Sequence, residues 1–172
     1  VIYDIAPRAE RVPSEYGHFP IIPRTDPFLH GLQGACVSAS IQLTCERRKL
    51  RYITKSEILA HPSCPDATRQ SHDPLALPLG GNRALIPDNL FGIEYSGDKP
   101  SYRFFAVEID RGTESIERRS LDQNAYGRKL QSYIQVLKQN GQKATWGLPT
   151  MMVLTVTTNA GHMVNMLDYL RR

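Results

Sequence analysis

Two carboxylates end a strand-like run in the middle of the chain, in the sequence FFAVEID at residues 104–110. Glu108 and Asp110 would lie on the same face of a strand, because successive side chains point to opposite faces. Like charges at that spacing repel one another, so they need a metal ion, a basic partner or exposure to water. The pattern leaves these three interpretations open.

A third acid is predicted to approach from the preceding strand. The strand-like runs ALIPDNLFGIEY and YRFFAVEID flank the turn-rich segment SGDKPS, which predicts a β-hairpin. Folded symmetrically about this turn, the hairpin places Asp88 across from Ile109. A shift of one residue moves Asp88 opposite Glu108 or Asp110 and onto their face.

Three carboxylates at one end of a sheet face predict a metal site. Such a cluster is costly unless a cation neutralises it or water solvates it well. Hard oxygen ligands suit Mg²⁺ or Mn²⁺ better than zinc. Asp88, Glu108 and Asp110 are therefore the candidate metal ligands and catalytic carboxylates, with simple exposure at strand ends as the alternative.

The segment that follows the hairpin adds a lysine and a tyrosine. SLDQNAYGRKLQSYIQVLKQNG is typical of an amphipathic helix, in which Lys129 and Tyr133 share one face. A helix packed back on the sheet would hold that face over the carboxylates. A lysine in this position could stabilise negative charge or orient a water in metal-assisted phosphodiester cleavage. Taken alone, Lys129 is more typical of a solvated flank and Tyr133 of a core residue.

The remaining elements predict an α/β domain. The order is helix, strand, hairpin, helix, strand, helix, which indicates a mixed central sheet flanked by helices on both sides. Residues 1–27 are proline-rich and without periodicity, so we expect an extended arm or the remnant of a preceding domain. Residues 28–172 form the α/β domain itself, and the start at Val1 suggests a piece of a longer protein.

Composition limits the function classes. The 172 residues are 41% hydrophobic and 22% charged, which is ordinary for a soluble globular domain, and no apolar run is long enough to cross a membrane. Three cysteines without a CxxC pair suit a reducing cytoplasm and make a zinc site or disulfide framework a poor explanation. The five histidines show no metal-ligand spacing and receive no role.

A net charge of +4 and a basic run fit a polyanionic partner. The run ERRKLR, at residues 46–51, could follow a DNA backbone. A solvated helix end is the more common explanation of such a run.

Four segments of the chain resemble the replication-relaxation family of bacterial plasmid and mobile-element proteins. They are IPDNLFGIEY, FFAVEIDRGTES, GRKLQSYIQVL and MMVLTVTT, within roughly residues 28–170, and VEIDRGTES is the most specific. The resemblance implies a DNA-processing domain with DNA and other replication or mobilisation proteins as partners. It also implies a winged-helix DNA-binding segment upstream, of which VIYDIAPRAERVP would be the tail.

The same segments are similar to the wider PD-(D/E)XK nuclease superfamily, whose core is a mixed sheet flanked by helices. In that superfamily a Pro-Asp on one strand and an acid-x-Lys on the next bind a divalent metal and drive hydrolysis. Pro87 and Asp88 match the first element and Glu108 the second acid. Asp110 stands where the lysine is usual, and Lys129 would be that lysine moved to the following helix. The resemblance implies a restriction-endonuclease-like fold.

Two functions follow, and a third stays open. The first is a Mg²⁺- or Mn²⁺-dependent DNA endonuclease in which Arg111 and Tyr133 contact the substrate. The second is a catalytically inactive DNA-binding or protein-interaction module in which Arg111 or Lys129 neutralises the acids. The third is a homodimerisation domain that pairs through the hairpin edge.

Overall fold

The computed structural model describes residues 28–110, 125–158 and 160–171. Its helices are α1 (Phe28–Arg47), α2 (Lys55–Ala60), α3 (Asp66–Arg69), α4 (Ala125–Lys138), α5 (Gly141–Trp146) and α6 (Ala160–Leu170). Its strands are β1 (Arg51–Ile53), β2 (Leu77–Gly80), β3 (Arg83–Leu85), β4 (Asn89–Tyr95), β5 (Ser101–Asp110) and β6 (Met152–Thr157). The predicted arm at residues 1–27 and the predicted substrate contact Arg111 lie outside the described residues.

Four strands form a mixed sheet in the order β1-β4-β5-β6. β4 and β5 make the predicted hairpin, and β1 pairs antiparallel with the outer side of β4. β6 joins β5 in parallel, which requires a crossover connection, and α4 lies within that connection. The predicted α/β class and the mixed central sheet flanked by helices are confirmed.

The alternation of side chains along β5 divides the core into two parts. Phe91, Val107 and Ile109 face α1, where Val37 and Ile41 pack against them. On the opposite face lies the larger part, formed mainly by Leu77, Leu90, Ala106, Tyr133, Val136 and Trp146. Glu108 belongs to this second face by alternation, so it meets α4 instead of α1.

The stretch from His61 to Gly81 is more ordered than its sequence indicates. Its proline content and lack of periodicity predict a loop, but it contains α3 and strand β2, which pairs with β3. Leu77 is fully buried, and Gly80 and Gly81 both adopt positive φ to turn the chain between the strands. The loop prediction is wrong here because a strand of four residues is too short to show a period.

The short strand and helical turn predicted for RYITKSEILA are confirmed as β1 and α2. A capping box begins α2, in which Thr54 and Glu57 satisfy each other's backbone N–H groups. None of the helices among the described residues is long and apolar enough to span a membrane.

Candidate active site

The register of the hairpin brings Asp88 beside Glu108. β4 begins with the pair of Asn89 and Val107, and Asp88 directly precedes that pair, next to the Glu108 end of β5. The Asp88 N–H donates to the Val107 carbonyl at 2.9 Å, and Asp88 Oδ2 accepts from the Ile109 N–H at 2.7 Å. The backbone of β5 therefore holds the Asp88 carboxylate at the end of the hairpin.

Glu108 is buried although it carries a carboxylate, with 4% of its surface exposed. Two side chains from α4, one turn apart, occupy its two oxygens. The Tyr133 hydroxyl donates to Oε1, and the Lys129 ammonium pairs with Oε2. Lys129 is 34% exposed, so its amine lies between the buried carboxylate and solvent. The helix thus places Lys129 and Tyr133 over the sheet on the face that their spacing predicts.

Burial is the main influence on the ionisation of Glu108. Loss of hydration raises the pKa of its carboxyl above the ordinary value of 4.5. The charge and hydrogen bond of Lys129 and the hydrogen bond of Tyr133 act in the opposite direction, and the negative charge of Asp88 raises the pKa further. A net upward shift means that the protein stabilises the charged form incompletely.

The raised pKa predicts a specific pH dependence of stability. The folded protein holds the Glu108 proton more tightly than the unfolded chain, so this contribution is fully present below pH 4.5 and is lost as pH rises through the folded pKa. The Glu108→Gln side chain is a neutral amide that does not titrate, so the variant lacks this contribution at every pH. We expect the free energy of unfolding of the parent, relative to the variant, to fall as the pH rises above 4.5 in urea titrations. A difference that stays constant or grows with pH would contradict the assignment.

His30 contacts Asp88, and its sequence pattern gave no sign of this role. Its Nε2 lies 3.1 Å from Asp88 Oδ1, and the two side chains are 23% and 26% exposed. His30 lies in the first turn of α1. The helix is fixed along the sheet by a hydrogen bond from Asn89 Nδ2 to Ser38 Oγ at 2.9 Å. No spacing in the sequence links His30 to Asp88, because 57 intervening residues separate them.

Asp110 ends β5 and is half-buried, and its strand neighbour is Thr157 on β6. Within the described part of the chain, no three His, Cys, Asp or Glu side chains are grouped as a metal cage. The structure therefore brings Asp88 and Glu108 together, and the participation of Asp110 as a third ligand stays a prediction.

Each of the two acids has one oxygen fixed by a neutral donor and the other against a basic side chain. The Ile109 N–H and the Tyr133 hydroxyl are the neutral donors. Asp88 Oδ1 and Glu108 Oε2 meet His30 and Lys129. Carboxylates that bind metals are commonly oriented by such hydrogen bonds, and Mg²⁺ often takes only one or two carboxylates with water and phosphate oxygens. The donor set fits a hard divalent cation if the two basic groups turn away.

No family model matches the chain, and neither the curated proteins nor the solved structures contain a significant match to it. The resemblance to replication-relaxation proteins and PD-(D/E)XK nucleases therefore depends on the motifs quoted above and stays a prediction.

Proposed function

We propose that the chain is a DNA-processing domain of a plasmid or mobile-element replication or mobilisation protein, with a metal-dependent phosphodiesterase site. One observation carries the proposal. A buried glutamate holds a lysine and a tyrosine from the next helix and has a second carboxylate beside it. A pKa perturbed by burial together with specific charged neighbours is typical of functional sites.

The arrangement is poorly explained by stability alone. A buried ion pair contributes little compared with well-packed apolar side chains of the same volume. Here the Glu108 carboxylate loses hydration on burial and also lies near the like charge of Asp88. A cation between the acids would remove both costs, which supports a site that holds positive charge.

Asp88 and Glu108 would hold Mg²⁺ or Mn²⁺, with Asp110 as a proposed third ligand. When bound, such a cation supplies a water of lowered pKa and neutralises charge on the phosphate. Lys129, displaced from Glu108, would stabilise the charge that develops on the phosphate oxygens. Tyr133 is buried with its hydroxyl on Glu108, so we assign it an orienting role in place of the substrate contact expected from the sequence.

The finer fold assignment belongs to the same proposal. A mixed sheet, a hairpin ending in Pro87–Asp88 and Glu108, and a crossover helix that supplies a lysine support a restriction-endonuclease-like core. In this proposal Lys129 replaces the lysine that the superfamily carries at the position of Asp110. The setting would be the bacterial cytoplasm, with Arg111 as a phosphate contact.

Cleavage of supercoiled plasmid tests the proposal. We expect nicking by the parent with Mg²⁺ or Mn²⁺ and none with a chelator. Asp88→Asn should lower the rate by about 100-fold or more, as expected for loss of a catalytic group. Asp98→Asn, in the exposed turn of the hairpin, is the matched control and should nick like the parent. Equal rates for the parent and Asp88→Asn would contradict the proposal.

A non-catalytic module is the second candidate, and one observation favours it. Lys129 and His30 already lie against the acids, so the cluster can be neutralised without a metal. Such a domain would bind DNA or another protein of the replication system, or a second copy of itself, without hydrolysis. This candidate predicts that the parent binds the supercoiled plasmid but nicks none of it with any cation.

A further inference from the structure

The end of α1 that lies farthest from the carboxylates is strongly basic. Arg47, Arg48 and Lys49 are all exposed, as is Arg103 on β5. None of the four forms an ion pair with any side chain in the described ranges, and Arg103 lies over the Tyr95 ring at 5.9 Å. We call these four residues the basic end.

Two acids close to the basic end, Glu57 and Glu94, already form ion pairs with Arg51. Arg51 pairs with Glu57 at 2.7 Å and with Glu94 at 2.9 Å. Glu46 is the acid that remains on the last turn of α1. The basic end therefore keeps an excess of positive charge that the described part of the protein does not neutralise.

The turn after α1 fixes the basic end in place. The Leu50 N–H donates to the Cys45 carbonyl at 2.8 Å and the Lys49 N–H to the Glu46 carbonyl at 3.1 Å. Lys49 has φ of 56°, in the left-handed region that glycine adopts most readily at the end of a helix. A lysine therefore stands where a glycine would be less strained, and strain of this kind is often associated with function.

The helix links the basic end to the candidate active site. His30, against Asp88, and Arg47 lie at opposite ends of the same helix, which at 1.5 Å per residue separates them by about 26 Å. Arg103 lies at the same end of the sheet as Arg47. It pairs with Ile93, which pairs with Tyr52 of β1, and β1 begins just after α1 ends. About 26 Å corresponds to roughly eight base pairs of duplex, somewhat less than one helical turn.

We propose that the basic end binds the phosphate backbone of duplex DNA whose next contact is the candidate active site. The inference rests on the proposed function for the identity of the polyanion, but it does not require hydrolysis. An anionic membrane is the competing partner, because Leu43, one turn before Arg47, is 52% exposed. The membrane explanation is weaker, since the inner apolar side of α1 is packed on the sheet through Val37 and Ile41 and a membrane-bound helix needs a broad exposed apolar face.

Fluorescence anisotropy with a labelled duplex of about 20 base pairs tests the inference, between about 50 and 200 mM salt. The test variant combines Arg47→Gln, Arg48→Gln and Lys49→Gln. The control combines Arg83→Gln, Lys138→Gln and Lys143→Gln, which remove the same charge from exposed positions on the elements of the opposite face. We expect about a tenfold or greater loss of affinity for the test variant and a salt slope smaller by about two to three, against less than about twofold for the control.

Lys49→Gly keeps the turn and removes one charge, so it should reduce the salt slope by about one even if the triple variant folds poorly. Parent affinity in the test variant, or an equal loss in the control, would overturn the inference. Binding to phosphatidylserine-containing vesicles that the test variant loses, with unchanged duplex affinity, would overturn it in favour of a membrane. If no plasmid is nicked but the basic end still determines affinity, the inference stands and the hydrolytic proposal fails.

Discussion

Replacement of Lys129 by methionine is expected to reduce both plasmid nicking and stability. The lysine provides the cationic partner of Glu108, whose side chain is almost completely buried. Removing one member of a buried ion pair typically costs 3–5 kcal/mol, and because solvent reaches Lys129 we expect about 2–3 kcal/mol. The pKa of Glu108 should rise further, since the charge of Lys129 lowers it in the parent.

The catalytic effect of the same change should be larger than the loss of stability. Without an ammonium near the phosphate, we expect nicking to fall by about 100-fold or more at a temperature where the variant is folded. Lys138→Met, on the exposed end of the same helix, is the control for a lost surface charge. Lys129→Arg keeps the charge and should recover part of the stability. A Lys129→Met protein that nicks at the parent rate would remove the lysine from the mechanism.

Gly147→Ala is expected to have the largest effect on folding. Gly147 ends α5 with φ of 72°, and a Cβ on it would lie 2.5 Å from the Ser63 carbonyl carbon and closer still to its oxygen. Both atoms belong to the backbone, so the chain must move to accept a methyl group. Trp146, the largest fully buried side chain, precedes it directly. We expect a loss of about 3 kcal/mol or more in the free energy of unfolding.

Gly81→Ala is the matched control for that change. Gly81 also has positive φ, 59°, but nothing lies within 4 Å of a Cβ built on it. It should therefore show only the backbone cost of about 1 kcal/mol. Urea unfolding of the two variants separates steric contact from backbone strain, and equal losses would show that Ser63 does not restrict Gly147.

The positions of Asp88 and Glu108 could be predicted because hairpin pairing and strand alternation are local rules. A turn of known length fixes which residues lie opposite one another, to within one step. The four-residue spacing of Lys129 and Tyr133 is likewise a property of one helix. The structure shows Asp88 beside the strand that carries Glu108, and Lys129 and Tyr133 together against Glu108, and this is the part of the site that local geometry determines.

The remainder depends on contacts between distant parts of the chain. His30 reaches Asp88 only because α1 lies along the sheet in one direction, which the Ser38–Asn89 hydrogen bond helps to fix. The burial of Glu108 was also not evident, since an acid near a strand end is ordinarily solvated. It is buried because α4 packs across it, and no pattern within the strand reports that.

Calorimetric titration of Mg²⁺ and Mn²⁺ into the parent, Asp88→Asn, Glu108→Gln and Asp98→Asn tests the central claim most directly. The account predicts saturable binding to the parent and to Asp98→Asn, weakened by about tenfold or more in each of the other two. Saturable binding that Asp88→Asn and Glu108→Gln leave unchanged would place the cation elsewhere. No binding by the parent would show that Lys129 and His30 neutralise the acids permanently and that the site is not a metal centre.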